Sequence, residues 1–170
     1  MDDDDEGGDM NPQVKLSDLM TALEMDMEEY QNYIDRRTGE LVTVESRILS
    51  ALEDGEEGEL EHLADWQKEE LEIAREIVKD DGSRFLVGPD KFDFHEYRQM
   101  ERFIQSLTDE NAANQLWRSI KGRGAFRYFK DTLHRLGLQD QWYEFRDEAM
   151  RRFVVDWAKE NGVSYVDDTR

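Results

Sequence analysis

The segment from Arg118 to Arg135 concentrates positive charge in a chain that is otherwise strongly negative. It contains six Lys or Arg residues and one acid, Asp131, so its formal charge is +5. The whole chain carries −20, so the remaining residues sum to −25. Clustered cations of this kind bind phosphate or carboxylate groups through charge-assisted hydrogen bonds. The segment is therefore the first candidate for a binding site.

A glycine-flanked turn and a helical stripe predict how these cations are arranged. The turn Gly122-Arg123-Gly124 separates two predicted helices, and the free N–H groups after Gly124 have the geometry that anions bind at a helix start. Counting i, i+4, i+7 and i+11 from Arg123 puts four polar side chains on one helical face. The candidate anion-binding residues are Lys121, Arg123, Gly124, Arg127, Lys130 and His134. The opposite face, with Phe126, Phe129, Leu133 and Leu136, is predicted to lie against the core.

A purely structural interpretation of the same segment stays open. Gly-x-Gly is also an ordinary connection between two helices. The chain has 42 acidic residues with which the stripe can pair, and Asp131 lies four positions from both Arg127 and Arg135. A Walker phosphate-binding loop is excluded, because GRGAF lacks the required spacing and the Gly-Lys-Ser/Thr sequence.

Other chemistries find less support in the sequence. Cysteine is absent and the three histidines are scattered, so no metal and no cofactor is expected. His95-Glu96 begins like a zinc-protease motif, but Gln99 stands where the second histidine ligand is needed. The acidic run Glu53–Glu61 does not match a calcium loop and is interpreted as an exposed connection. No nucleophile or catalytic carboxylate can be singled out, so no catalytic residue is predicted.

Composition predicts the compartment and the surfaces that the protein avoids. A charge of −20 repels nucleic acid and anionic lipid at long range, so no membrane association and no bulk DNA binding are expected. No apolar run reaches the roughly 18 residues that span a bilayer. The acidic N-terminus is the opposite of a signal peptide, which begins with positive charge. We therefore expect a cytoplasmic protein.

The hydrophobic pattern predicts an α+β fold that is mostly helical. Residues 1–13 are interpreted as a disordered acidic tail, and residues 14–166 as a single globular domain. A short β-hairpin is predicted at about 29–35 and 41–45, with Gly39 in its turn, packed on a bundle of about five to six helices. Ser17 is predicted to cap the first helix, and Asp93 with Glu96 to form a capping box farther along the chain. All four tryptophans occupy helical apolar positions and are assigned to the core.

Several segments of this sequence resemble a bacterial family known only as an uncharacterised protein family. The similar segments are the Thr38-Gly39-Glu40 turn, Trp66–Ile77, Lys91–Ile104, Gly122–Leu133 and Trp142–Ala149. They occur in one order and span nearly all of the chain after Val14. The acidic tail departs from the family pattern. The resemblance implies no activity, cofactor or functional residue that can be transferred.

The leading functional hypothesis is a non-enzymatic cytoplasmic binding module whose basic stripe takes an anionic partner. That partner is RNA, a nucleotide or an acidic protein. A second hypothesis is a small enzyme that holds a phosphorylated substrate at Gly124 and moves protons with His134 or His95. A third is an acidic structural or interaction protein whose negative surface is the functional one. An enzyme needs a concave site beside these groups, whereas a binding module needs only an exposed face.

Overall fold

The computed structural model describes residues 12–25 and 27–170, and it confirms a mostly helical α+β fold. Most of the predicted acidic tail lies outside the described residues. The described chain divides into two compact units. The first unit comprises the described residues up to Asp90 together with Val154–Arg170, and the second unit comprises Lys91–Phe153.

The described elements are five strands, eight α-helices and a 3-10 helix at Glu57–Leu60. In chain order they are β1 (Val14–Lys15), α1 (Leu16–Glu24), β2 (Tyr30–Asp35), β3 (Glu40–Glu45), α2 (Ser46–Glu53), α3 (Asp65–Lys79), β4 (Phe85–Val87), α4 (Lys91–Phe94), α5 (Glu96–Ser106), α6 (Glu110–Ser119), α7 (Ala125–Leu136), α8 (Gln139–Glu160) and β5 (Tyr165–Val166). The helix count exceeds the predicted five to six, partly because α4 is a separate single turn.

A three-stranded antiparallel sheet forms the β part of the first unit. The predicted hairpin is confirmed as β2 paired with β3, from Tyr30 opposite Glu45 to Asp35 opposite Glu40. Gly39 takes φ +75° in the turn, and a Cβ built on it would lie 2.7 Å from the carbonyl oxygen of Gln13. Strand β4 adds to the other side of β2, antiparallel.

The core of the first unit lies between this sheet and the helices α2 and α3. Strand residues and helix residues share one buried cluster because both faces are apolar. The cluster contains Val44, Ile48, Leu49, Ala51, Leu60, Ala74, Ile77 and Phe85. Trp66, at the start of α3, does not join it: its side chain is 68% exposed. Its assignment to the core was wrong, since the first turn of a helix projects beyond the packed stripe.

Arg84, just before β4, forms ion pairs with Asp35 on β2 and Glu76 on α3. Arg84 donates from Nε to Oδ1 of Asp35 at 3.2 Å and from Nη2 to Oδ2 at 3.0 Å. Its Nη1 donates to Glu76 at 3.1 Å. Burial by itself would raise the pKa of Asp35, but the hydrogen bonds and charge of Arg84, with the Arg37 backbone N–H, hold that pKa below its ordinary value. The charged form of Asp35 therefore stabilises the fold.

The two ends of the described chain meet within the first unit. Strand β1 pairs in parallel with β5, Val14 opposite Tyr165. The backbone N–H of Ser17 donates to Oδ1 of Asp168 at 2.9 Å, and the Ser17 hydroxyl donates to Oδ2. These hydrogen bonds lower the pKa of Asp168. The predicted Ser17 cap is thus wrong, because Ser17 lies inside α1 and a distant carboxylate accepts its N–H.

The second unit is a helical assembly with an aromatic core. Phe103, Phe129 and Trp142 pack edge to face, with ring centroids 4.9 to 6.4 Å apart. His95 has a left-handed backbone (φ 53°) that separates α4 from α5. The predicted Asp93–Glu96 capping box is therefore wrong, because Asp93 lies inside α4 and Glu96 begins α5. Glu96 instead accepts a hydrogen bond from Arg146 Nε at 2.7 Å.

Candidate functional site

The basic segment folds as a helical hairpin made of α6 and α7. The carboxylate of Asp109 caps α6 by accepting from the backbone N–H groups of Asn111 and Ala112, at 3.0 and 3.1 Å. Gly124 and Gly137 bound α7, with φ of 75° and 68°, and glycine takes this left-handed conformation at no steric cost. The helix start predicted after Gly124 is confirmed.

Apolar residues on the inner faces fix how the two helices lie against each other. Leu116 on α6 and Ile120 after it are buried, as are Phe129 and Leu133 on α7. All four belong to the core cluster of the second unit. Because the inner faces are committed to this core, the polar residues beside them must line the outside of the hairpin.

A groove of about 570 Å³ runs between the outer edges of α6 and α7. We call it the α6–α7 groove. Among the described residues, its lining combines three cations, two amides, two hydroxyl side chains and one tyrosine, and it contains no carboxylate. The lining residues are Asn111, Gln115, Arg118, Ser119, Lys121, Tyr128, Thr132 and Arg135. In a chain with 42 acidic residues, an acid-free groove with three cations attracts anions locally.

Two other grooves in the second unit differ in this respect. One, of about 650 Å³, contains Lys91, His95 and Arg98 together with Glu96 and Glu101. The other, of about 450 Å³, contains Arg152 together with Glu144 and Glu148. In each of these two grooves, glutamate side chains lie beside the cations. Their negative charge offsets the positive charge and so lowers the attraction of the groove for an external anion.

The cations of the basic segment are exposed. In the part of the chain that the structure describes, no carboxylate lies within ion-pair distance of Arg118, Lys121, Arg123, Arg127 or Lys130. Arg135 donates from Nη2 to Oε1 of Gln115 at 3.0 Å, so it is held across the groove by a neutral group. Asp131 is exposed and forms no ion pair with the described cations around it. The charges remain available to a ligand.

The predicted site residues do not all line one concavity. Lys121 lines the α6–α7 groove. Arg123 lies in the turn before α7 rather than on a helical stripe. Gly124 is the N-cap, and no side chain in the described part of the chain caps the first N–H groups of α7. Arg127, Lys130 and His134 are exposed on the outer face of α7, beside the groove. The hairpin thus has a cationic groove and a cationic outer face.

The aromatic residues of α7 differ from the predicted arrangement. Phe126 was expected in the core, but its side chain is 48% exposed and lines the groove that contains His95. Leu133, seven positions later on the same helical face, is buried, so the exposure of Phe126 comes from its place in the first turn of α7 rather than from its face. Tyr128 is 56% exposed.

Sequence reasoning missed most residues of the α6–α7 groove. Arg118 and Arg135 were counted as charge but not placed in the site, and the amides of Asn111 and Gln115 were not considered. A usable signal was present. Asn111, Gln115 and Arg118 stand at i, i+4 and i+7, and so do Tyr128, Thr132 and Arg135. Two polar stripes with this spacing on consecutive helices predict a shared groove once the inner faces are known.

Metal sites are not apparent in the described residues. Within 12–25 and 27–170, no cluster of three or more His, Asp or Glu side chains has a metal-binding arrangement. No helix in the described part of the chain is both long and apolar enough to cross a membrane.

Comparison with known families assigns the chain. The model of the uncharacterised protein family UPF0158 matches residues 10–169. The chain belongs to this family. No curated protein and no solved structure matches the chain.

Charge is distributed very unevenly between the two units of this UPF0158 member. Lys91–Phe153 contains 12 Lys or Arg and 10 Asp or Glu, which gives +2. The rest of the chain has 22 − 12 = 10 basic and 42 − 10 = 32 acidic residues, which gives −22. The acidity of the protein therefore belongs to the first unit, and the α6–α7 groove lies on the unit that does not share it.

Proposed function

We propose that this protein is a non-enzymatic binding module that takes an anionic partner in the α6–α7 groove and on the adjoining outer face of α7. One observation carries the proposal: three cations line a groove to which no described residue contributes a carboxylate, in a chain of charge −20. Retaining a concentrated, unneutralised positive surface is costly for the fold through self-repulsion, and an anionic ligand relieves that cost.

No reaction is proposed for this site. Neither His134 nor His95 lines the α6–α7 groove, and Gly124 does not line it either. The groups that an enzyme of phosphorylated substrates would combine are therefore not gathered beside the three cations, whereas anion binding needs only the cations themselves. Binding of an anionic partner is the function that this geometry supports best.

The test is a binding assay with matched charge reversals. We would compare the wild-type protein with the double variant Arg118→Glu/Lys121→Glu, using fluorescein-labelled 12-nucleotide RNA, polyphosphate and polyglutamate as probes. The control is Arg98→Glu/Arg102→Glu, which changes the net charge equally at exposed positions of α5 outside the groove. We expect at least one probe to bind wild type and control alike, and the groove variant at least about tenfold more weakly, as the loss of two charge-assisted contacts implies.

The salt dependence of binding counts the cations that are engaged. For a single-stranded RNA probe, each neutralised phosphate contributes about −0.7 to the slope of log K against log salt. Three groove cations therefore predict a slope of about −2, which falls to about −0.7 in the double variant. Equal binding by the groove variant and the control, or no binding of any probe, would overturn the proposal.

A second candidate function rests on the other unit. Its 32 acidic against 10 basic residues favour a basic protein as partner. Such binding should weaken with salt and should be unaffected by Arg118→Glu/Lys121→Glu. A lysine-rich peptide measured against both double variants separates this candidate from the first.

A further inference from the structure

Tyr128 is an exposed aromatic ring fixed at the edge of the α6–α7 groove. Its ring lies against the backbone of Gly124, since a Cβ built on that glycine would be 3.1 Å from Cε2 of Tyr128. Among the described residues, Tyr128 has no aromatic partner and its hydroxyl has no hydrogen-bond partner. A ring that is exposed and has no aromatic partner among the described residues is open to stacking by a ligand.

The groups around Tyr128 match more than a bare anion. Arg118, Lys121 and Arg135 supply positive charge, and the amides of Asn111 and Gln115 supply donors and acceptors. Carboxylates of an acidic peptide would satisfy the cations but have no use for a flat aromatic surface. A nucleotide unit combines a phosphate, polar edges and a flat base, and so uses all three features of the groove.

We propose that the α6–α7 groove binds single-stranded nucleic acid, with phosphates on Arg118, Lys121 and Arg135 and a base stacked on Tyr128. The inference rests on the proposed function and names its ligand class. A single strand is favoured because its bases have open faces, whereas those of a duplex are already stacked on their neighbours. It is favoured also because a chain of −20 tolerates a polyanion only where contact is short and local.

The lining residues divide the work of recognition. The three cations neutralise phosphates and give affinity without sequence preference. Tyr128 stacks on a base, which is also tolerant of sequence because every base has a π-face. The amides of Asn111 and Gln115 can bond base edges, so they would supply what sequence preference exists. The ligand is therefore a short unpaired segment rather than a long duplex.

The experiment compares three tyrosine variants on matched probes. Tyr128→Ala removes the ring, Tyr128→Phe keeps it, and Tyr143→Ala removes a ring of similar exposure on α8 that does not line the groove. The probes are 12-nucleotide single-stranded RNA, the same length of single-stranded DNA, the RNA annealed to its complement, and polyphosphate. Circular dichroism checks that each variant is folded, which the exposure of both tyrosines leads us to expect.

Stacking on a single base predicts a distinct pattern of affinities. Tyr128→Ala should weaken binding of single-stranded RNA about 5- to 100-fold, the range expected from the loss of one stacked base. Tyr128→Phe and Tyr143→Ala should stay within about twofold of wild type, since both keep the stacking ring in the groove. Polyphosphate, which has no bases, should bind Tyr128→Ala and wild type equally, and the annealed RNA should bind more weakly than the single strand. A comparison of RNA with DNA shows whether the 2′-hydroxyl is recognised.

The failure of this inference differs from the failure of the proposed function. Equal binding of single-stranded RNA by Tyr128→Ala and wild type, with loss of binding in Arg118→Glu/Lys121→Glu, would remove the stacked base and leave an anion-binding groove. Polyglutamate binding as tightly as RNA would assign the groove to an acidic protein. Insensitivity to the charge reversals would remove both proposals together.

Discussion

The basic segment from Arg118 to Lys130 in the second unit differs from four cations of the first unit in whether a carboxylate pairs with it. In the first unit, Arg47, Lys68, Arg75 and Arg84 all pair with carboxylates. In the second unit, Arg146 and Arg151 pair with Glu96 and Glu148, but the cations from Arg118 to Lys130 form no ion pair with any described residue. The acids that could neutralise them are numerous, but most are in the first unit. An excess of acid in the sequence therefore does not neutralise a cation, because pairing requires a carboxylate within about 4 Å.

The same difference separates arginines that are paired within the fold from cations that have no carboxylate partner among the described residues. Arg84 is enclosed by Asp35, Glu76 and the ring of Phe85, whose centroid lies 4.5 Å from its guanidinium carbon. Arg118 and Lys121 line a groove that has no Asp or Glu among its described residues. Arg84 thus holds a sheet together in the first unit, whereas Arg118 in the second unit has no carboxylate partner among the described residues. Four experiments test whether the two units are as distinct as this comparison states.

Replacement of tryptophan should have the largest effect, and only in one unit. Trp142 is 3% exposed and packs on Phe103 and Phe129. Trp142→Ala should cost roughly 3–5 kcal/mol of unfolding free energy, because it leaves a cavity in the core of the second unit. Trp66→Ala, at an exposed position in the first unit, should cost about 0.5 kcal/mol or less. Urea denaturation followed by circular dichroism measures both, and similar costs would contradict the assigned burial.

Removing the charge of Asp35 should have the next largest effect and should depend on pH. Asp35→Asn is expected to cost about 2–3 kcal/mol near neutral pH, because Arg84 loses charge-assisted hydrogen bonds. The pKa of Asp35 is lowered in the folded state. Its contribution is therefore fully present above the unfolded value of about 3.9 and is lost as the pH falls through the folded pKa.

The measurement is the free energy of unfolding of wild type and Asp35→Asn from pH 7 down to pH 2. The two curves should lie apart at neutral pH and converge in acid. Asp65→Asn is the control, since Asp65 pairs with Lys68 in a fully exposed contact, and its effect should stay near about 0.5 kcal/mol. A constant gap across the pH range would show that the charge of Asp35 is not what stabilises the sheet.

A pair of glycine substitutions compares a packed turn with an open one. Gly39 in the first unit and Gly122 in the second both have positive φ, so alanine strains the backbone at each. A Cβ on Gly39 also meets the Gln13 carbonyl oxygen at 2.7 Å, whereas a Cβ on Gly122 meets nothing within 4 Å. Gly39→Ala should therefore cost about 1–2 kcal/mol more than Gly122→Ala. Thermal unfolding of the two variants gives the difference in their stabilities. Equal costs would mean that the Gln13 backbone moves away from the new Cβ without loss of stability.

Salt should have the smallest effect, and it should act on the first unit. A unit of net charge −22 repels itself, and added salt screens that repulsion. Raising NaCl from about 0.02 to 0.5 M should slow amide hydrogen exchange in β2, β3 and α3 by up to about tenfold, and that in α5 and α7 much less. Uniform slowing across both units would indicate that their electrostatics are coupled.

The sequence by itself predicted much of the local structure. The hairpin turn at Gly39 and the start of α7 after Gly124 follow from glycine positions and hydrophobic spacing, which act within a few residues. The excess charge of Arg118–Arg135 was equally visible. Local patterns determine such features because their physical causes lie in neighbouring residues.

Only the tertiary structure decided which residues meet across long separations. The cap of α1 comes from Asp168, 151 positions after Ser17, and Arg84 reaches Asp35 from 49 positions away. The α6–α7 groove, the exposure of Phe126 and the absence of acids beside Arg118 likewise depend on how helices pack. The spacing of residues along one helix predicts which of them share a face. The pairing of faces depends on how several helices bury their apolar surfaces together, and no local pattern contains that information.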